Sequence, residues 1–210
     1  MTLLEHRVRG VDHIAYPTFD PEATVRFYQD ILGFPITHAI LARGWGKEYN
    51  PDFVHFFFDI GNGDRLAFFY YFRTGPFNTG PYNESGRGDA YSAFGPEVPT
   101  YFIRSRHLAI HVDGYEDLME YRRRLDASQW PVEMQIQHET IESIYVYDPN
   151  DYLIEFTTPT RPALPADARD AALTVRAVID AVRHEATPTL EAVWARKAQL
   201  LCDQLTEVGS

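Results

Sequence analysis

Two short histidine segments, 94 residues apart, constrain this chain more than any other feature of it. His13-Ile14-Ala15 and His107-Leu108-Ala109 open two stretches with the same layout. In the first, a strand-like run from Val11 to Tyr16 leads to Asp20-Pro21. Asp suits a helix N-cap and Pro the first helical position. Val25, Tyr28, Ile31 and Leu32 then recur at helical spacing, and Gly33 suits the residue just past the helix end. Three β-like runs follow at 36–43, 53–60 and 65–72, the last two rich in Phe and Tyr. In the second stretch, Tyr101 to Val112 reads as a strand. A helix over 115–127 carries Leu118, Tyr121 and Leu125 on one face, and strands follow near 132–138, 141–147 and 152–158. Each stretch therefore reads β-α-β-β-β, and a duplication is the simplest account. The expected fold class is α+β: two paired βαβββ modules forming a curved mixed sheet around a metal site, plus a C-terminal helical hairpin.

The expected divisions are a first module over 1–100, a second over 101–160 and a helical extension over 161–210. Residues 73–100, inside the first division, are rich in Gly, Pro, Asn and Tyr. A stretch of that length reads either as a functional lid or as an ordinary surface connection. In the extension, 167–185 and 188–207 read as amphipathic helices. Val175, Val178, Ile179 and Val182 mark the apolar side of one; Leu190, Val193, Trp194, Leu200 and Leu201 mark that of the other. These sides are expected to pack on the domain or on a second subunit, which makes a homodimer or higher homo-oligomer the expected assembly.

Composition removes several function classes. The net charge is −11, which argues against nucleic acid and against anionic membrane surfaces. No run of apolar residues is long enough to span a bilayer, and the N-terminus lacks the apolar core of a signal peptide. Cys202 is the single cysteine, so an intrachain disulfide is excluded and a reducing cytoplasm is the expected location. With 45% hydrophobic residues, the 210-residue chain can bury a substantial core.

The chemistry is expected where the repeat places His13 and His107, with a carboxylate from the final strand at Glu155. Two imidazoles and one carboxylate leave a ferrous ion with open positions on one side and a residual charge of about +1. Such a centre can hold an anionic bidentate ligand and still admit dioxygen. His111 competes with His107, because residues four apart in a strand share a face; the repeat alignment favours His107. His6, His38, His55 and His184 have no such support. The turn after Asp148 decides a further pair. With a three-residue loop at Pro149-Asn150-Asp151, Tyr145 opposes Glu155 on one face, and Asp151 takes the left-handed position. With a two-residue loop, Ile144 opposes Glu155 and Tyr145 faces away.

Residues 8–158 resemble the vicinal oxygen chelate superfamily, which includes glyoxalases, bleomycin-resistance proteins and extradiol ring-cleaving dioxygenases. Within it, Ile136 to Glu155 (IQHETIESIYVYDPNDYLIE) is similar to the extradiol signature. His138, Ile144, Tyr145, Asp148, Pro149 and Glu155 hold the signature positions, and Asp151 stands where glycine is usual. The resemblance implies that His13, His107 and Glu155 bind Fe(2+), with Mn(2+) as the alternative metal. It implies that His138 handles a proton and that Tyr145 hydrogen-bonds the substrate. The last strand of the first module, Asp64 to Tyr70, has no carboxylate at its inward centre, unlike glyoxalase-type sites with four ligands. The activity implied is insertion of O2 into a catechol-type aromatic diol beside the hydroxyls. A metal-dependent isomerase, lyase or epimerase, and a metal-free drug-binding protein, are alternatives on the same scaffold.

Overall fold

In the computed structural model, residues 10–44, 51–72 and 104–208 are described, and the side chains from 204 onward are not. The 73–100 stretch, His6 and Tyr101–Ile103 lie outside the described residues. The chain divides into two compact units, Met1–Thr160 and Arg161–Ser210.

The first unit holds two sheets of identical topology. Strand β1 (His13–Pro17) leads into helix α1 (Pro21–Val25), whose N-cap Asp20 accepts the Ala23 amide at 3.0 Å. The helix continues as a wider π-type turn over Arg26–Ile31 and stops at Gly33, whose φ of +84° lies in the left-handed region that glycine enters freely. Strands β2 (Ile36–Ala42), β3 (Phe53–Asp59) and β4 (Arg65–Tyr71) complete the module. The second module repeats this with β5 (Leu108–His111), α2 (Tyr115–Asp126), β6 (Met134–Gln137), β7 (Ile141–Tyr147) and β8 (Leu153–Pro159). The strand orders are β1-β4-β3-β2 and β5-β8-β7-β6. In each sheet the first strand pairs in parallel with the last, and the other pairs are antiparallel.

Alternation along the strands separates a core face from an open face. Phe56, Phe58, Leu66 and Phe68 of the first sheet pack with Phe27 and Tyr28 of the first helix. Ile144, Val146, Ile154 and Phe156 of the second join the same core with Leu118 and Leu125, and Tyr121 stacks on Phe156 at 4.8 Å. The helices therefore cover one face of each sheet. His13, His55, Phe57, Tyr145 and Glu155 fall on the other.

The modules are tied together at the β7–β8 turn. The Asn150 side-chain oxygen accepts from the Thr18 hydroxyl and the Phe19 amide, each at 3.0 Å, and its amide donates to Thr24. Tyr28 donates to Asp148 at 3.0 Å, and Tyr152 donates to the Pro17 carbonyl at 3.1 Å. Asp148 and Asn150 are fully buried in this joint. The carboxylate accepts four bonds, yet burial outweighs them and pushes its pKa up to about 6.

One strand expectation changes. The strand expected over Tyr101–Val112 is confined to Leu108–His111 among the described residues, because a turn over Arg104–Arg106 precedes it. His107 thus stands one residue before its strand, whereas His13 begins its own.

The second unit is a helical hairpin, α3 (Pro165–His184) and α4 (Leu190–Val208). Asp167 closes the start of α3 by accepting the Leu164 amide and pairing with Arg161. Lys197 reaches across from α4 to Asp170 at 2.7 Å. In the single chain Val175, Val178, Ile179 and Val182 face outward, and Leu173, Ala177 and Ala181 are buried. The helix is apolar on two sides, and the side with the small residues is the one covered.

Candidate metal centre

The β7–β8 hairpin sets the geometry of the site. Its loop is the three-residue form. The Asp148 amide bonds the Tyr152 carbonyl at 2.9 Å, and Asp151 has a φ of +63°. Tyr145 therefore pairs with Glu155 across the ladder, and both side chains project from the open face. Glu155 is 4% exposed, an unusual place for a carboxylate without a hydrogen-bonding partner. His107 supplies the partner, with Nε2 at 2.8 Å from the Glu155 carboxylate. His107 donates Nδ1–H to the Arg104 carbonyl at 2.9 Å, so Nε2 is the nitrogen turned to Glu155. The turn that displaces His107 from the strand supplies that carbonyl. His111 lies along β5 with Thr157 as its neighbour in register.

Tyr145 links this pair to His138. The His138 Nε2 lies 3.0 Å from the Tyr145 hydroxyl, and the His107 and Tyr145 rings meet edge to face at 5.8 Å. Burial, then the nearby Glu155 charge, raises the Tyr145 pKa, so the hydroxyl remains a neutral donor. His107, Glu155, Tyr145 and His138 thus form one connected group on the second sheet.

His13 stands on the first sheet. Its Nδ1 lies 2.7 Å from the Asp12 carboxylate, which Arg65 also holds at 2.6 Å. The ring packs against Phe57 and lies 6.0 Å from the ring of His55. Among the described residues no three His, Cys, Asp or Glu side chains come together as a metal-holding cluster. The structure brings His107 together with Glu155 on the second sheet and places His13 on the first.

The donor set nonetheless fits a divalent cation. His13 and His107 each spend Nδ1 on an oxygen acceptor, the arrangement that orients metal-bound imidazoles, and Nε2 of His107 already lies against Glu155. Glu155 adds one buried negative charge. By register, Ala67 opposes Ala15 as Glu155 opposes Ala109, so the first module has alanine where the second has its carboxylate. The fit is thus to three protein donors rather than four.

His55 was passed over in the sequence because nothing in the repeat distinguishes it. Its Nδ1 lies 3.1 Å from the Phe68 carbonyl, and its ring stacks on Phe69 at 3.6 Å. Desolvation lowers its pKa, so the ring is neutral with Nε2 bare as a proton acceptor. The signal available in the sequence was its alternation with Phe53 and Phe57 on the same strand face as His13. A cavity of about 410 Å³ lined by Arg26, Asp30, Arg124 and Trp130 lies elsewhere, beside the end of the first helix. No helix among the described residues is long and apolar enough to cross a membrane.

Known proteins resemble the chain in the same region. Solved structures with a similar fold include a lactoylglutathione lyase from Agrobacterium tumefaciens, at 20% identity and a TM-score of 0.45, with 73% of this chain and 96% of that one covered. A genomically encoded fosfomycin resistance protein from Listeria monocytogenes has 19% identity and a TM-score of 0.44, with 73% and 95% covered. An antibiotic-binding protein from Streptomyces has 15% identity and a TM-score of 0.45, with 74% and 100% covered. Comparison with curated proteins returned no match. The family model described as Glyoxalase/Bleomycin resistance protein/Dioxygenase superfamily matches residues 10–156, from before β1 into β8, and the chain belongs to that superfamily.

Proposed function

We propose that the protein is an Fe(II)-dependent extradiol dioxygenase that opens a catechol-type ring beside the diol. The observation that carries this reading is the connected group His107–Glu155–Tyr145–His138 on one sheet face. A histidine–carboxylate pair of the kind that can bind a metal lies there beside Tyr145 and His138. In this reading His107, Glu155 and His13 hold the metal, and a bound Fe(II) supplies the redox-active Lewis acid that lets dioxygen react with the diol.

The residues of the chain carry the rest. His55, neutral with Nε2 bare, accepts a proton from the entering diol. Tyr145, kept as a phenol, donates a hydrogen bond to a substrate oxygen. His138, within hydrogen-bond distance of the Tyr145 hydroxyl, passes a proton to oxygen as the ring opens. Phe57, against which His13 and His38 both pack, offers an apolar wall for the ring. The alanine at 67 keeps the centre at three protein donors, which leaves room for a bidentate substrate and O2 together.

The test is anaerobic loading with Fe(II), then a catechol panel in air. Oxygen uptake with a yellow ring-fission product supports the reading. Iron-loaded protein that consumes no oxygen with any catechol overturns it.

A further inference from the structure

We propose that the outer face of α3 is a self-association surface, and that its occupant is α3 of a second copy of this chain, lying antiparallel with Val175 on the twofold axis. The face consists of Ala168, Ala171, Ala172, Val175, Val178, Ile179 and Val182, all exposed. The four larger residues are 41–59% exposed, which is far from the packed state such side chains favour. The positions 168, 171, 175, 178 and 182 step by three and four in alternation, which is the spacing of a helix-to-helix seam. The opposite side of the same helix, Leu173, Ala177 and Ala181, is already covered and needs no further partner.

The identity of the occupant follows from the volume profile along the stripe. Its N-terminal half is alanine and its C-terminal half is β-branched. In an antiparallel pair centred on Val175, Ala168 meets Val182 of the second copy, Ala171 meets Ile179, and Ala172 meets Val178. Small opposes large at each level away from the axis, where Val175 meets its own copy. A parallel pair sets alanine against alanine at one end and crowds β-branched residues at the other. The stripe is therefore complementary to itself in one direction only, as an isologous interface requires. The exposed side chains amount to roughly 500 Å² per copy, so a pair buries about 1,000 Å². That is near the lower limit for a specific interface, so the dimer is reversible. Arg169, Arg176 and Arg183 run along one border of the stripe, and in this geometry the borders of the two copies coincide. Their repulsion is screened by salt, so dimerisation strengthens as ionic strength rises.

Sedimentation of the full chain from a few micromolar to several hundred micromolar reads the equilibrium. A concentration-dependent dimer is expected. Val175→Glu should weaken it at least tenfold without changing the thermal melt, because the residue is exposed in one copy. In a Cys202→Ser background, Val175→Cys should form a disulfide-linked dimer. Ala168→Cys alone should not, whereas Ala168→Cys with Val182→Cys should. A chain that stays monomeric throughout, which includes a face covered from within the same chain, overturns the proposal. So does a dimer indifferent to Val175→Glu. Failure of Val175→Cys to cross-link, or linkage through Ala168→Cys alone, overturns the antiparallel register.

Discussion

Tyr145 and Glu155 face one another across the β7–β8 ladder, and His107, just before the adjoining strand β5, reaches the same carboxylate at 2.8 Å. Glu155 is thus the residue on which both halves of the site converge. Glu155→Ala is expected to lower bound iron more than about tenfold, since loss of even an outer partner of a metal ligand costs that much. Metal content measured after desalting checks this; wild-type content would remove Glu155 from the ligand set.

His138 and Tyr145 are expected to separate kinetically. His138→Ala should cut kcat by about 10²- to 10⁴-fold, the usual worth of a positioned proton donor. Tyr145→Phe removes one hydrogen bond, and about 3- to 10-fold is expected. Oxygen uptake with unchanged iron content is the measurement. Equal losses in the two variants would show that they do not have distinct roles.

The buried Asp148 gives a pH signature of opposite sign to an ordinary paired carboxylate. Its folded pKa of about 6 lies above its usual value of 3.8. Between these values the native state binds the extra proton, so stability from this group is present below pH 4 and is lost as pH rises through 6. The loss is up to about 3 kcal/mol. Urea melts from pH 4 to 7 should show the stability difference between wild type and Asp148→Asn shrinking or reversing by that amount. A difference independent of pH would contradict the assignment.

Asn150→Ala should destabilise the two-module unit by about 2–4 kcal/mol, because Thr18, the Phe19 amide and Thr24 all lose a buried partner. The corresponding fall in Tm is roughly 5–15 °C. A change below about 0.5 kcal/mol, the range of an ordinary surface substitution, would mean that the joint is not a stabilising contact.

Asp151 occupies a left-handed backbone position at φ +63°. Asp tolerates that region and Gly enters it without cost. Asp151→Gly is expected to raise stability by up to about 1 kcal/mol in a denaturant melt, with no effect on activity. Destabilisation would indicate that the aspartate side chain is worth more than the relief of its backbone.

The hairpin was readable in the sequence because its information is local. Turn residues and alternation narrow the pairing to a two- or a three-residue loop, and the three-residue loop of the structure pairs Tyr145 with Glu155. The βαβββ order was readable for the same reason. Three other features depend on distant or ambiguous contacts. His55 carries its bare nitrogen only because Phe68 and Phe69 of the next strand orient it. His107 leaves the strand because of a turn at Arg104–Arg106 that has no strong signature. In α3 the bulky stripe at Val175 outweighs Ala177 and Ala181 in any hydropathy pattern, yet small residues allow closer helix approach.

The two related turns differ in what they permit. Asn150 is seated in the other module, whereas Gly61, Asn62 and Gly63 at the β3–β4 turn are exposed, all with positive φ. The duplicated halves are therefore unequal as engineering sites. New termini, tags or inserted domains belong at Asn62, where the backbone has no partner module to lose. The same cut at Asn150 would unseat the hairpin that carries both Tyr145 and Glu155.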